Sequence, residues 1–310
     1  MELWLFNRAE HNFAKWKSML SLWRRLPIIV RAVIAGLTVA VTGTLPWAFL
    51  AGWNLRVIPS VPWAILPMAL YLWLYWQYLN GAGWPRTSAE GRRTSLRANG
   101  LSGDLWGMSL FAGMIGLAVL LPLLGIMSRL VRLPAESQPI NVPPHMPFIT
   151  VFLLLVMAAI VAGVVEEAAF RGYMQGPIER QHGPIMAILV NGTLFGLAHY
   201  HHHPASVLAM LPFYISVAAV YGGLAYATNS ILPGLVLHAG GDVFSLTRLW
   251  TTGQPEWQVS VTPPALIWET GADAAFLGYV TAFILLGAGA VWAYSALASA
   301  ARTARASSAA

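Results

Sequence analysis

Apolar runs of about 20 residues, the length that crosses a bilayer as a helix, recur along this chain. They predict eight spans, near 31–52, 61–83, 106–127, 147–174, 184–200, 205–228, 231–250 and 274–299. The connection 84–105 is polar and holds Arg86, Arg92, Arg93 and Arg97, while 128–146 contains Pro134, Pro139, Pro143 and Pro144 and reads as a stiff loop. Ahead of the first span, Phe13, Trp16, Leu20 and Trp23 recur at helical spacing with Lys15, Lys17, Arg24 and Arg25 between them. That pattern suits an amphipathic helix in the headgroup region. The expected fold is therefore all-α, a polytopic membrane helix bundle with about eight transmembrane helices. Its expected parts are an interfacial segment 1–30, N-terminal spans 31–144, a core 145–250, and 251–310 with an external loop, the last span and a tail.

Composition agrees with the pattern. Of 310 residues 57% are hydrophobic and 10% charged, against roughly 25% charged in a soluble domain. The formal charge of +6 comes from 18 Lys and Arg over 12 Asp and Glu. No basic stripe tracks phosphates, so nucleic acid is not an expected partner. An even number of spans puts both ends on one side. The N-terminal segment, the 84–105 and 175–183 connections and the tail, with Arg302 and Arg305, carry the basic residues, so the positive-inside rule makes both termini cytoplasmic. Arg56, Arg129, Arg132 and Arg248 fall on the other side and are outnumbered. No signal-peptide pattern precedes the first span, and a plasma membrane, the inner membrane of a bacterium, is the expected location. The absence of cysteine excludes disulfides, thiolate catalysis and Cys-ligated metal.

Three polar groups interrupt the apolar spans, at a cost of roughly 2.5–3.5 kcal/mol per charge near a helix centre. The first is Glu166, Glu167 and Arg171 in "GVVEEAAFRGYM". Glu167 and Arg171 are i and i+4, a pairing order that favours an ion pair. Adjacent residues differ by about 100° around a helix, which leaves Glu166 as the unpaired carboxylate. The second is His199 in "FGLAH", one turn after Phe195; the third is "HAGGD", where His238 and Asp242 share a face. Counted from the neighbouring turns at 1.5 Å per residue, Glu166 and His238 come out at similar depth, roughly 15 Å and 14 Å, and His199 deeper, near roughly 22 Å. A carboxylate held away from bulk water, two imidazoles and a second carboxylate suit hydrolysis: proton abstraction from water, proton delivery to a leaving amine, and stabilisation of an oxyanion. Asn191 reads as an interhelical hydrogen-bonder able to line the site. The run His201, His202 and His203 reads as a wet end cap before Pro204, and His145 and His182 as loop residues.

"EEAAFRG", "FGLAH" and "HAGGD", in this order on separate spans, resemble the EExxxR, FxxxH and HxxxN/D motifs of the type II CAAX prenyl endopeptidases and bacteriocin-processing enzymes, the CPBP family of intramembrane proteases. "YATNSILPGLVLH" is similar to the segment leading into the last of these motifs. The resemblance implies that the 145–250 core is catalytic and that Glu166 activates water with His199. It further implies that Glu167 and Arg171 brace the helix and that His238 with Asp242 stabilises the oxyanion. Asp242 stands where eukaryotic CAAX enzymes have asparagine; an ionised Asp only accepts hydrogen bonds, so it serves the oxyanion when protonated or else orients His238. The implied partners are the bilayer and protein or peptide substrates, including ones lipidated at the C-terminus. No cofactor is needed in this reading. A metal reading stays open, with Glu166, His199 and His238 as a Glu/His₂ zinc set of the kind found in hydrolases. So does a catalytically silent immunity or scaffold protein in which the same charges only hold the bundle.

Overall fold

The structure is a computed structural model, and it describes residues 23, 25–133, 146–199, 207–253 and 264–309. The amphipathic segment before Trp23, the prolines of 134–144, His145 and the run His201–His203 lie outside the described residues.

Each of the eight predicted spans coincides with a helix. In chain order these are α1 (Ile28–Val57), α2 (Ile65–Leu79), a short α3 (Ala89–Leu96), α4 (Gly103–Leu130), α5 (Phe148–Glu166), a π-helical segment (Glu167–Gln175), α6 (Gly176–Ala198), α7 (Val207–Thr228), α8 (Leu232–Thr252), a single turn α9 (Ile267–Thr270) and α10 (Ala274–Ala309). Among the described residues there is no strand. Among the described residues five helical stretches are long and apolar enough to cross a membrane: Ile28–Val57, Gly103–Leu130, Phe148–Ala198, Val207–Thr228 and Ala274–Ser307. The third holds two of the predicted spans. Of the remaining two, α2 has only 15 residues, and α8 contains His238, Asp242 and Arg248. Large apolar side chains stand on the outside, among them Leu66, Phe49, Phe244, Val291 and Trp292. In water such a surface would be an aggregation hazard; on an integral membrane protein it faces lipid.

Two connections differ from the sequence reading. The 84–105 stretch contains α3, closed by Arg97 in the left-handed region. The predicted loop 175–183 is helical up to Gly183, whose φ of 82° breaks α6 just before Pro184. Pro177 at the start and Glu179 in the first turn are residues that a helix N-terminus favours, so the chain stays helical until a glycine lets it reverse.

Small residues bring the helices close. On α1, Ala32, Gly36, Val39 and Gly43 form one buried stripe. A Cβ on Gly36 would stand 2.9 Å from the Ala169 carbonyl, and one on Gly43 2.5 Å from the Val165 side chain. Close approach across small residues is the usual basis of helix association in lipid. Here it presses α1 against the stretch that carries Glu166 and Glu167.

The two ends of the bundle are tied separately. At one, buried Arg97 meets Glu179 at 3.2 Å and donates to the Ala225 carbonyl, while Asn99 donates to the Asn229 carbonyl and Ser230 to that of Asn99. The 84–105 connection, the start of α6 and the α7–α8 turn thus lie at one end, as the alternation of basic connections predicts. At the other, Arg129 forks onto Asp273 at 2.8 and 2.9 Å, and Arg132 pairs with Glu269. Two of the arginines that count against the predicted orientation therefore have acidic partners.

Backbone hydrogen bonds from Phe276 and Leu266, then the two arginines, hold the Asp273 and Glu269 carboxyls below their ordinary values of 3.8 and 4.5. A lowered folded-state value means stability that is complete above the ordinary value and lost as pH falls through the folded one. Thermal unfolding in detergent is thus expected to be level from pH 7 to 5 and to fall in temperature below about pH 4. Asp273→Asn should make the acid slope shallower; an unchanged slope would remove the clamp from the account.

Candidate functional site

The site forms where α5, the π segment and α8 meet. Gly163 makes the meeting possible: a Cβ there would lie 2.8 Å from the Ala239 Cβ and 2.9 Å from its backbone nitrogen. One turn further on, Glu166 and Glu167 face His238. The π-helix begins at Glu167. In it the backbone bonds run from i to i+5, and such segments are rare and frequent at functional sites.

His238 is the hub. Its Nδ1 lies 2.9 Å from Glu167 Oε1; a carboxylate accepts, so Nδ1–H donates. On the opposite edge of the ring, Nε2 stands 3.7 Å from Glu166 Oε2 and 3.7 Å from Asp242 Oδ2. The two adjacent carboxylates therefore grip one imidazole from its two nitrogens. Their surroundings differ. The Glu167 side chain is fully buried, whereas Glu166 is 21% exposed and Asp242 26%.

Glu167 also meets Arg171 at 3.2 Å, the expected i,i+4 pair, with Arg171 1% exposed. The approach is an ion pair without an aligned hydrogen bond, since among the described residues the three guanidinium nitrogens have no hydrogen-bond partner. Instead the guanidinium lies over the faces of Phe195 and Tyr221, 5.0 and 5.1 Å from their centroids, a cation–π arrangement. On the other side, a Cβ on Gly234 would come within 2.8 Å of Glu167 Oε2. Glycine at this point lets α8 pass directly over the carboxylate.

His199, at the end of α6, has its Nδ1 2.7 Å from the Phe195 carbonyl. A carbonyl only accepts, so Nδ1 carries the proton and Nε2 the lone pair in the neutral ring. Phe195 connects the two histidines: its centroid is 4.4 Å from that of His199 and 6.5 Å from that of His238. Asn191 donates to the Phe170 carbonyl at 2.6 Å and ties α6 to the π segment.

Of the residues expected from the three motifs, Glu166, Glu167 and Asp242 meet at His238, Arg171 lies against Glu167, and His199 is linked to them through Phe195; one expectation is corrected. Glu166 is not an unpaired carboxylate, because His238 reaches both acids. The i,i+4 rule foresaw the Arg171 partner but could not foresee a ring from another helix between Glu166 and Glu167. Sequence reasoning also passed over Tyr214 and Tyr221. Tyr214 stacks on His199 with centroids 5.1 Å apart and Tyr221 on His238 at 5.2 Å. The seven-residue spacing of the two tyrosines was the signal available.

For a metal, the donors are of a suitable kind but not suitably gathered. Among the described residues no three His, Asp or Glu side chains are grouped to hold an ion. His238 Nδ1 is engaged by Glu167, and His199 Nδ1 by a carbonyl.

The fold and site define an integral membrane protein, a helical bundle with a buried carboxylate–imidazole cluster. Residues 148–244, from α5 into α8, match the family of type II CAAX prenyl endopeptidase Rce1-like proteins. The match supports a CPBP family intramembrane protease, and the family indicates a peptidase. No curated protein and no solved structure matches the chain significantly.

Proposed function

We propose that this protein is an intramembrane endopeptidase of the CAAX-protease type, which cleaves protein or peptide substrates near the cytoplasmic face with Glu166 as the base. The observation that carries the reading is the asymmetry of the acid pair. Glu167 is sealed between Arg171 and His238, whereas Glu166 is 21% exposed and open to a water molecule. Glu166 takes a proton from that water as its oxygen attacks the scissile carbonyl. His199, whose Nε2 carries the lone pair, helps to hold that water, and the resulting oxyanion meets the Nε2–H of His238 in its doubly protonated form. Collapse expels the amine, which receives the proton held by Glu166. The peptide bond is thereby hydrolysed to an acid and an amine with no redox partner. Asp242, 3.7 Å from His238 Nε2, orients that edge of the ring.

An apolar recess of about 350 Å³ supports a lipid-side substrate group. It lies between Leu72, Trp73 and Trp76 of α2, Met157 and Val164 of α5, and Leu235 of α8. Val164 is two residues before Glu166, and Leu235 one turn before His238. An apolar side chain or a lipid chain on the substrate fits this lining. The location proposed is a bacterial inner membrane with both termini cytoplasmic.

The test compares new peptide termini in membranes from cells expressing the wild type or Glu166→Gln at matched levels, each with and without a membrane-permeant chelator. Cleavages confined to the wild type and persisting under chelator are expected. Their loss under chelator would favour metal-activated water, and identical termini in both strains would favour a silent membrane partner.

A further inference from the structure

We infer that Tyr214 and Tyr221 of α7 are positioning residues that fix the ring planes of the two site histidines. The inference rests on the reading of His199 and His238 as working groups. The two histidines sit on different helices, His199 at the end of α6 and His238 within α8. The two tyrosines sit on one. They are seven residues apart, so they lie within about 20° of the same face and about 10.5 Å apart along the axis. That spacing reaches both imidazoles from a single rigid element.

The geometry is the same at both places. The Tyr214 and His199 centroids are 5.1 Å apart with an interplanar angle of 29°, and those of Tyr221 and His238 5.2 Å apart at 20°. Both fall in the range of about 4.5–7 Å in which aromatic rings attract. Tyr214 is 3% exposed and Tyr221 5%, so neither ring can swing aside. Tyr221 is fixed further by the Arg171 guanidinium 5.1 Å from its centroid. Beside it, Gly222 draws α7 in, since a Cβ there would stand 2.6 Å from Gln175 Oε1. Tyr214 is held by Phe195, at 5.8 Å edge-on, and by Phe213.

Each histidine also has one nitrogen anchored, His199 to the Phe195 carbonyl and His238 to Glu167. A contact at a nitrogen, including those of His238 Nε2 with Glu166 and Asp242 at 3.7 Å, fixes an edge of an imidazole rather than the plane of its ring. A ring stacked on its face fixes that plane. A face contact needs the aromatic ring rather than the hydroxyl, so phenylalanine should replace either tyrosine.

The test uses the full chain in detergent with Tyr221→Phe, Tyr221→Leu, Tyr214→Phe and Tyr214→Leu. Carbethoxylation, which takes the neutral imidazole, is followed for each histidine by mass spectrometry as the pH is raised, with exposed His182 as the reference. Tyr221→Leu is expected to raise labelling of His238 at least fivefold and leave His199 unchanged. Tyr214→Leu should do the reverse, and both Phe variants should label as the wild type does. Turnover should fall tenfold or more in each Leu variant, mainly in kcat, and return in the Phe variants. Equal labelling of both histidines by either Leu change would make the tyrosines ordinary packing, as would labelling that does not move. The labelling does not depend on activity, so a wild type without turnover would overturn the peptidase reading and leave this one to be judged by labelling alone.

Discussion

Glu166→Gln is expected to lower peptide cleavage by about 10²–10⁴-fold, the usual contribution of a general base, while the bundle unfolds at nearly the wild-type temperature. The amide fills the same space but cannot take a proton from water. Its 21% exposure means that little packing depends on its charge. The nearest group it could disturb is His238, 3.7 Å away at Nε2, and that ring keeps its shorter bond to Glu167 on the other edge. Purified protein with a substrate found by the termini comparison would give the rate, and circular dichroism the fold. A variant that retains more than a tenth of the wild-type rate would remove Glu166 from the role of base.

The neighbouring acid should behave in the opposite way. Glu167→Ala is expected to destabilise the protein by about 3–5 kcal/mol, as breaking a buried ion pair does. Arg171 is 1% exposed and among the described residues its nitrogens have no hydrogen-bond partner, so Glu167 is the carboxylate that balances it. Removing that carboxylate strands a guanidinium among Phe195, Tyr221 and the core residues around them. It also frees His238 Nδ1. The double change Glu167→Leu with Arg171→Met should recover most of the loss, because an apolar pair of similar volume can replace a buried ion pair at little net cost. Unfolding by denaturing detergent would supply the free energies. A single-mutant cost below about 1 kcal/mol would mean that water or lipid headgroups reach Arg171 after all.

Much of this was legible in the chain itself, and the reasons differ by feature. The eight apolar runs fall on helices because in lipid a backbone has no other way to satisfy its hydrogen bonds along a single span. The Glu167–Arg171 pair followed from local periodicity. The motifs "EEAAFRG" and "HAGGD" singled out the residues that meet at His238, and "FGLAH" the Phe195 ring that links it to His199. What periodicity could not give was anything settled between helices. The π segment from Glu167 to Gln175 reads in sequence like any other helical stretch. The Gly163–Ala239 approach sets which helix faces which, and only then does His238 come to stand between two adjacent acids. The helical start of α6 reads as a loop because it is polar, although polarity says only that these residues can meet water.

The close approaches at Gly163 and Gly172 have a mechanical consequence. A Cβ on Gly172 would lie 2.9 Å from the Ser95 carbonyl, as one on Gly163 would against Ala239. With no side chain to act as a spacer or bearing, α8 and the end of α3 rest on the backbone that carries the acid pair. A side chain at either glycine would force these backbones apart. The acid pair and His238 are therefore held together by backbone lying on backbone rather than by side chains between them. On the α2 side the apolar recess is walled instead by side chains, Leu72, Trp73 and Trp76, so if the proposed cleavage holds, room for a substrate is expected to open there.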